Sequence, residues 1–197
     1  VFVAGQTESA SFPTTNAFQG TYGNGAFDAF VMKFNWLGVL QWATFYGGTD
    51  DERAHSVATD PVGNVYIGGH TGSAALPVFN SGAPAYYNGT YGGGLDAFFV
   101  KFNTNGMRLH ATYYGGSNWD DIYSIHIDAI GSVYFTGHTM STDFPLTILP
   151  SGYNDSANSG GTFGGDTYLV KLNSSLSCQW STYFGGNDNE VGWCVKT

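Results

Sequence analysis

The apolar residues of this chain fall in short runs of roughly five to eight positions, rich in β-branched and aromatic side chains. Gly, Asn, Asp or Pro bounds each run, as in Asp96-Ala-Phe-Phe-Val-Lys-Phe-Asn103. No window combines a helical period of about 3.6 residues with helix-capping residues. The pattern therefore predicts β-strands joined by turns.

The runs recur in the same order three times, which is the signature of a tandem repeat. The equivalent segments are Val1–Thr7, Val65–Thr71 and Val133–Thr139; Asp28–Asn35, Asp96–Asn103 and Asp166–Asn173; Ala43–Gly48, Ala111–Gly116 and Ser181–Gly186; and His55–Asp60, Tyr123–Asp128 and Trp193–Thr197. They define repeat units at residues 1–64, 65–132 and 133–197. Each unit supplies four predicted strands.

Four antiparallel strands repeated around an axis are the plan of a β-propeller, in which each sheet stacks on its neighbours. A β-solenoid is the alternative, but its coils are usually shorter and its strands parallel. We therefore expect an all-β propeller of four-stranded blades. Because three units are too few to close a ring and Val1 already lies in a strand pattern, we expect the chain to be part of a larger propeller.

Short and long connections alternate along the chain. In a four-stranded meander alternate connections emerge at the same edge, so the long loops share one face with the Gly-Gly loops. The long loops are residues 8–27, 72–95 and 140–165, and the Gly-Gly loops begin at Gly47, Gly115 and Gly185. Binding groups concentrate on long loops over a rigid scaffold, so this long-loop face is where we expect a ligand.

Composition narrows the function classes. Aromatic residues make up 17% of the chain and charged residues only 11%, and the net charge is −9. Such a chain repels nucleic acid and anionic membranes. No stretch approaches the roughly 18 apolar residues of a membrane-spanning helix.

Acidic residues cluster in the Gly-Gly loops. They are Asp50, Asp51, Glu52, Asp120, Asp121, Asp188 and Glu190. Oxygen-rich loops of this kind bind hard cations, so a structural Ca²⁺ ion is one hypothesis. The other is that these residues are favourable turn formers with solvated charges.

Aromatic residues in the long loops are candidates for the binding of sugars or proteins, because their rings bring a large contact area at low entropy cost. They are Tyr22, Tyr86, Tyr87, Tyr91, Tyr153 and Phe163. The alternative is that the rings fold back over the edges of the blades.

Side chains with catalytic potential recur once per unit, which favours a structural role. His70 and His138 are equivalent, and unit one has Gln6 at that place. No nucleophile elbow, HExxH motif, P-loop or dinucleotide fingerprint is present. Cys178 and Cys194 carry no CxxC motif, and they fit either buried thiols or a disulfide. We therefore expect a protein that is not an enzyme.

The repeat resembles a known family. The segment Asp60 to Thr71, a following Leu-Pro or Phe-Pro pair, the Asp-Ala-Phe-Phe-Val-Lys-Phe-Asn segment and Tyr-Tyr-Gly-Gly are similar to the bacterial SBBP repeats, named for a seven-bladed β-propeller. The third unit departs from the pattern at 173–177, where Ser-Ser-Leu-Ser replaces a turn with Gly. The resemblance spans all three units. It implies secreted or cell-surface bacterial proteins without an assigned catalytic activity, and it supplies no functional residues.

The sequence thus predicts a non-catalytic extracellular module for adhesion, scaffolding or assembly. Its partners would be a protein or glycan at the long-loop face, and further blades of the same parent chain or other copies. A carbohydrate-binding propeller is the first alternative, and a polysaccharide-acting hydrolase or lyase is the second.

Overall fold

The computed structural model of the chain describes residues 1–160 and 164–197, and it contains three antiparallel sheets, which we call blades 1, 2 and 3. Blade 1 consists of β1 (Phe2–Thr7), β2 (Asp28–Phe34) and β3 (Leu40–Tyr46). Blade 2 consists of β4 (Glu52–Thr59), β5 (Val65–Thr71), β6 (Asp96–Phe102) and β7 (Arg108–Tyr114). Blade 3 consists of β8 (Asp120–Ile127), β9 (Val133–Thr139), β10 (Asp166–Leu172) and β11 (Cys178–Phe184). The predicted all-β fold of repeated antiparallel blades is confirmed.

Each blade is a simple meander, so the short hairpin turns lie at one edge and the long loops at the other. Gly63 and Gly131 have φ angles of +87° and +85°, which glycine adopts without a steric penalty. In the other short turn of each unit, Gly38 and Gly106 have φ +78° and +80°, and the departure in unit three places Leu176 at that position with φ +63°. Its side chain is buried against blade 3, so packing offsets the backbone strain there.

The blades stack in chain order through their aromatic and aliphatic faces. Between blades 2 and 3, Phe99 and Phe135 stack with ring centroids 5.9 Å apart, and Tyr114 meets Phe135 edge to face at 4.9 Å. Between blades 1 and 2, Tyr46 and Phe102 are also edge to face, at 5.8 Å. All five of these side chains are buried. The two interfaces together form the core of the molecule.

Burial patterns show which faces are covered. Every residue of β6 in the middle blade is buried except Lys101, so both of its faces are covered. In β10 only alternate residues are buried, namely Asp166, Tyr168, Val170 and Leu172. The side of blade 3 that points away from blade 2 is therefore open.

The long loops run back along the outermost strands. Single bridges join Thr15 to Ala43, Phe79 to Ala111 and Thr147 to Ser181. An exposed strand edge invites pairing with another chain, and a loop laid along it prevents that.

The fourth predicted element of unit three is wrong as a strand, because Trp193–Thr197 has no ladder partner. The segment nevertheless lies along β8, where the backbone N–H of Val195 donates to Ser124 Oγ at 3.1 Å. An equivalent hydrogen bond links blades 3 and 2, where the backbone N–H of Ile125 donates to Ser56 Oγ at 2.9 Å. Residues 193–197 thus follow the path of an innermost strand without pairing in a sheet.

Buried carboxylates close the Gly-Gly loops. Glu52 accepts hydrogen bonds from Gly48 N at 2.7 Å and from Thr71 Oγ1 at 2.6 Å. Asp120 does the same in the next loop with Gly116 N, Thr139 and Ser141. Burial raises the pKa of Glu52 to about 6 and that of Asp120 to about 7, although these hydrogen bonds oppose the shift.

A second carboxylate stands beside each of these groups, at the start of β2, β6 and β10. These residues are Asp28, Asp96 and Asp166, and all three are buried. Among the described residues, the Oδ1 atom of each has no hydrogen-bond partner. Burial raises the pKa of all three, to about 6 for Asp96.

A matched pair of variants tests the stacking. Tyr114 and Phe184 occupy the same repeat position, but their exposed fractions are 1% and 60%. Tyr114→Ala should lower the free energy of unfolding by about 3–5 kcal/mol because it empties the interface with blade 3. Phe184→Ala should cost less than about 1 kcal/mol. Equal losses in urea unfolding would contradict stacking as the source of stability.

The carboxylates predict a pH dependence. Because their folded pKa values are raised, their contribution is complete below the unfolded pKa of about 4 and is lost as the pH rises through about 6 to 7. His110, whose pKa burial lowers to about 4, acts in the opposite sense, but it is one group against at least three. The free energy of unfolding should therefore fall between about pH 4 and pH 7.

Urea unfolding across this range measures the slope. Asp120→Asn removes the group with the highest of these carboxylate pKa values, so its slope should be smaller than that of the unmodified chain. A stability that stays level or rises with pH would be inconsistent with the buried carboxylates.

Candidate functional site

The acidic residues of the Gly-Gly loops do not converge on one point. They are spread over three loops, one following each blade. Glu52 and Asp120 are buried in the hydrogen bonds described above, and Glu190 accepts from Gly186 N at 3.0 Å in the third loop. These three occupy equivalent positions, so their recurrence is part of the repeat.

The remaining loop acids have separate environments. Asp50 and Asp188 are exposed. Asp51 forms a salt bridge with Arg53 at 3.0 Å. A structural Ca²⁺ ion in these loops stays a prediction.

The loop aromatics divide into two groups. Tyr22 and Tyr91 are half-buried, and their hydroxyls donate to Gly25 O and Gly94 O within their own loops. Tyr86 packs on Tyr114 with ring centroids 4.5 Å apart and joins the core.

The second group of aromatics faces solvent. The exposed fractions of Tyr87 and Tyr153 are 38% and 62%. Phe163, the sixth predicted aromatic, lies outside the described residues. Of the predicted set, Tyr87 and Tyr153 are thus the described rings available to a partner.

The two cysteines are free thiols in the structure. Cys178 is on β11, the outermost strand of blade 3, whereas Cys194 lies in the segment along β8, the innermost strand. Neighbouring strands are about 4.8 Å apart, so three strand spacings separate the two positions. A disulfide needs Cα atoms within about 7 Å, so the two thiols are not paired in this arrangement.

Exposed apolar side chains also occur on the face of the short turns, opposite to the face that the sequence favoured. They are Trp36, Leu37, Val62, Met107 and Ile130. They are spread over four hairpin turns, and only Trp36 and Leu37 share one, so we assign no site to them.

One group of three potential metal ligands stands out among the described residues: His55, His70 and Asp121. His55 lies at a β-bulge, because Ala54 pairs with Gly69 and Ser56 with Gly68, which leaves His55 without a partner. A bulge re-aims the extra side chain. Here the imidazole of His55 reaches that of His70 on the neighbouring strand.

Asp121 enters the cluster from the next blade. It is the second residue of β8, the strand of blade 3 that contacts β4 and β5 of blade 2. Its Oδ2 is 2.7 Å from His70 Nδ1 and 3.3 Å from His55 Nε2, and the two ring nitrogens are 3.3 Å apart. Three ligand atoms from two blades thus form one small triangle.

The cluster is mostly shielded from water. The exposed fractions are 1% for Asp121 and 6% for His70, while the side chain of His55 is 26% exposed. Burial would raise the pKa of Asp121, but hydrogen bonds from His55 and His70 and their nearby charges outweigh it and lower that pKa. The carboxylate therefore stays ionised beside the two imidazoles.

Tyr123 borders the same cluster. Its ring centroid is 5.4 Å from that of His55. Burial, together with the charge of Asp121, raises the pKa of Tyr123 to about 12. The phenol is thus neutral, and the ring covers one side of the cluster.

Sequence reasoning found two of the three residues but for other reasons. His70 was noted as a repeat position and Asp121 as a loop acid, whereas His55 was not singled out. A comparison of equivalent positions in the three repeat units contains the signal that could have identified the cluster. At the position of Asp121 the other units carry Arg53 and Val191, so the acid is specific to one blade interface.

A cavity lies on the open face of blade 3. It has a volume of about 870 Å³, and its walls include Leu169, Trp180 and Phe184 from the sheet and Tyr153 from the long loop. The corresponding face of blade 2 is covered by blade 3. This surface is apolar and unpartnered in the described chain.

No helix among residues 1–160 and 164–197 is long and apolar enough to cross a membrane. This finding concerns helices alone.

Two comparisons with known proteins bear on identity. A search of curated proteins gave no match to the chain. A family model, SBBP, described as a β-propeller repeat, matches residues 41–77, which run from β3 through β4 and β5 into the following loop. The match names no source, so the bacterial origin implied by the resemblance stays an expectation. Residues 41–77 are thus similar to a β-propeller repeat of the SBBP family, and the stacked antiparallel sheets are consistent with propeller blades.

Proposed function

We propose that this chain is a non-catalytic propeller module that serves assembly, scaffolding or adhesion outside the cell, and that the open face of blade 3 is its contact surface. The observation that carries the proposal is the burial pattern of equivalent strands. Phe99 of blade 2 is 1% exposed, because blade 3 covers it, while Leu169 at the same place in blade 3 is only half-buried. Both faces of blade 3 carry apolar residues, but only the face towards blade 2 is covered.

The chemistry of the open face suits another blade. Leu169, Trp180 and Phe184 form an apolar surface, and the hydroxyls of Thr136 and Thr167 lie among them. Aromatic and aliphatic residues in a concave surface are the usual anchors of protein interfaces. We therefore propose a second sheet of the same repeat type as the partner.

Blade 1 offers the complementary surface. Its strand β2 alternates like β10, with Ala29 and Val31 buried and Phe30 and Met32 half-exposed. In blades 2 and 3 the residues equivalent to Phe30 are Phe98 and Tyr168, and both pack against the preceding blade. The open face of blade 1 is thus equivalent to the faces of blades 2 and 3 that pack on a preceding blade, and it could pack on the open face of blade 3. This equivalence supports head-to-tail contact with a further blade or a second copy.

We propose that the chain is not an enzyme because the acids with raised pKa values recur in successive loops. Perturbed pKa values often mark active sites. Glu52 and Asp120, however, occupy the same place in successive loops and hold the same glycine N–H groups. A group that repeats in this way serves the loop rather than a single reaction.

The extracellular location rests on the family resemblance. The low content of charged residues, 11%, and the aromatic-rich blades are compatible with it. The location stays part of the proposal.

Glycan binding is the second candidate, and one observation favours it. Tyr153 is 62% exposed at the rim of the cavity, and its ring centroid is 5.4 Å from that of Phe184, which is 60% exposed. Flat, solvent-facing rings next to hydroxyl groups suit the apolar face of a sugar.

Assembly is tested by sedimentation velocity over a concentration series. We expect the average mass of the unmodified chain to rise with concentration, because open apolar faces associate. Leu169→Arg should keep the chain monomeric, since it buries an unpaired charge in the contact. Trp36→Arg changes an 88% exposed residue on the short-turn face, so it should behave like the unmodified chain.

A chain that stays monomeric up to about 100 μM would contradict the assembly role, since weaker contacts fall below about 5 kcal/mol. Association that Leu169→Arg leaves intact would place the contact elsewhere on the chain.

A glycan array tests the second candidate. If glycan binding is the function, Tyr153→Ala should abolish it by removing the exposed ring. Tyr87→Ala, at a 38% exposed ring on the loop of blade 2, serves as the control. An array without any bound glycan would rule this candidate out for the sugars it displays.

A further inference from the structure

The triangle of His55, His70 and Asp121 has the dimensions of a metal site. Imidazole and carboxylate ligands lie about 2.0–2.2 Å from Zn²⁺, so ligand atoms in a tetrahedral site are about 3.3–3.5 Å apart. The two distances from His55 Nε2, to His70 Nδ1 and to Asp121 Oδ2, are both 3.3 Å. The third edge is 2.7 Å, a hydrogen-bond length, so this edge alone has to lengthen, by about 0.6–0.8 Å.

The three potential ligand atoms, two ring nitrogens and one carboxylate oxygen, lie within 4.8 Å of one another. In the metal-free chain the two imidazoles hold the carboxylate through N–H groups. Metal ligands must be deprotonated, so a cation would replace these protons and be bound by all three atoms together.

Asp121 supplies a second, independent observation. Its side chain is 1% exposed, and among the described residues its Oδ1 atom has no hydrogen-bond partner. A buried carboxylate oxygen without a partner is costly, by about 1–3 kcal/mol or more for a charged group. Carboxylates bind metal ions through one or both oxygens, so a cation beside Oδ2 also lowers the cost of Oδ1.

Among the described residues, these three ligands come together at a single blade interface. Where blade 3 meets the segment 191–197, His138 is present, but Val191 replaces the acid and Tyr123 of β8 holds the place of His55. His138 there forms a hydrogen bond with Asn189 Oδ1 at 2.8 Å instead. The repeat therefore does not require the cluster, which would otherwise recur.

We propose that His55, His70 and Asp121 bind a divalent transition-metal ion between blades 2 and 3. Two imidazoles and one carboxylate favour Zn²⁺ and its neighbours over Ca²⁺ and Mg²⁺, which prefer all-oxygen sites. Three protein ligands leave a further position for water. The 26% exposure of the His55 side chain gives the ion a route from solvent.

The ion joins two blades that are otherwise held by side-chain packing. His55 and His70 belong to blade 2 and Asp121 to blade 3, so binding fixes the spacing of the innermost strands. Because the unfolded chain does not gather these ligands, the metal stabilises the folded state.

Titration of the metal-free chain tests the proposal, with no histidine tag present. We expect one Zn²⁺ ion per chain by calorimetry and a rise in the midpoint of thermal unfolding with added Zn²⁺. Co²⁺ as a spectroscopic probe should give the visible absorption bands of a four- or five-coordinate site. Ca²⁺ at the same concentration should produce neither effect at this cluster.

His55→Ala is the decisive variant, because His55 is the most exposed ligand and its loss should not unfold the chain. It should weaken Zn²⁺ binding at least about 10-fold and abolish the Co²⁺ bands. His138→Ala, at the histidine of blade 3 that is equivalent to His70, is the control and should bind as the unmodified chain does. Absence of saturable Zn²⁺ binding, or binding that His55→Ala leaves unchanged, would overturn the proposal.

Discussion

Burial of aromatic side chains between neighbouring sheets is the constraint on which the rest of this structure depends. A blade such as β4–β7 is apolar on both faces, so water solvates neither face well and a sheet must lie on each side. Phe99, Phe135 and Tyr114 meet this need between blades 2 and 3, and Tyr46 and Phe102 between blades 1 and 2. The fold is thus a stack in which each blade depends on the next.

The same constraint explains where chemistry is found. The innermost strands of adjacent blades are brought together because the faces beside them pack, and this contact places Asp121 next to two histidines of blade 2. It also leaves the outer face of blade 3 uncovered, with Leu169 and Phe184 accessible. Both the proposed metal site and the proposed contact surface are consequences of stacking.

Buried carboxylates fix the geometry of the Gly-Gly loops at a cost in solvation. Glu52 and Asp120 give up solvation to bind glycine N–H groups, and a second carboxylate stands beside each of them. Such an arrangement fixes the loop geometry without a cation, provided that one group of each pair holds a proton. The acidity that looked like a calcium loop in the sequence is therefore also explained as loop closure.

Much of the fold was predictable from the sequence, because strand runs and turn glycines are local signals. The recurring segments gave all eleven strands, and the glycines of the short turns have the positive φ angles that such turns need. The segment Trp193–Thr197 was mispredicted, since a strand requires a partner that local pattern does not reveal. His55 was missed because a bulge shifts one residue out of alternation, and Asp121 meets it only across a blade interface.

Hydrogen exchange measured strand by strand tests the stacking account most directly. Strands β6 and β10 are each paired on both sides within their sheets, but only β6 is covered on both faces. If stacking holds the molecule together, the amides of β6 exchange more slowly than those of β10. Equal protection of the two strands, with blades that open independently, would contradict it.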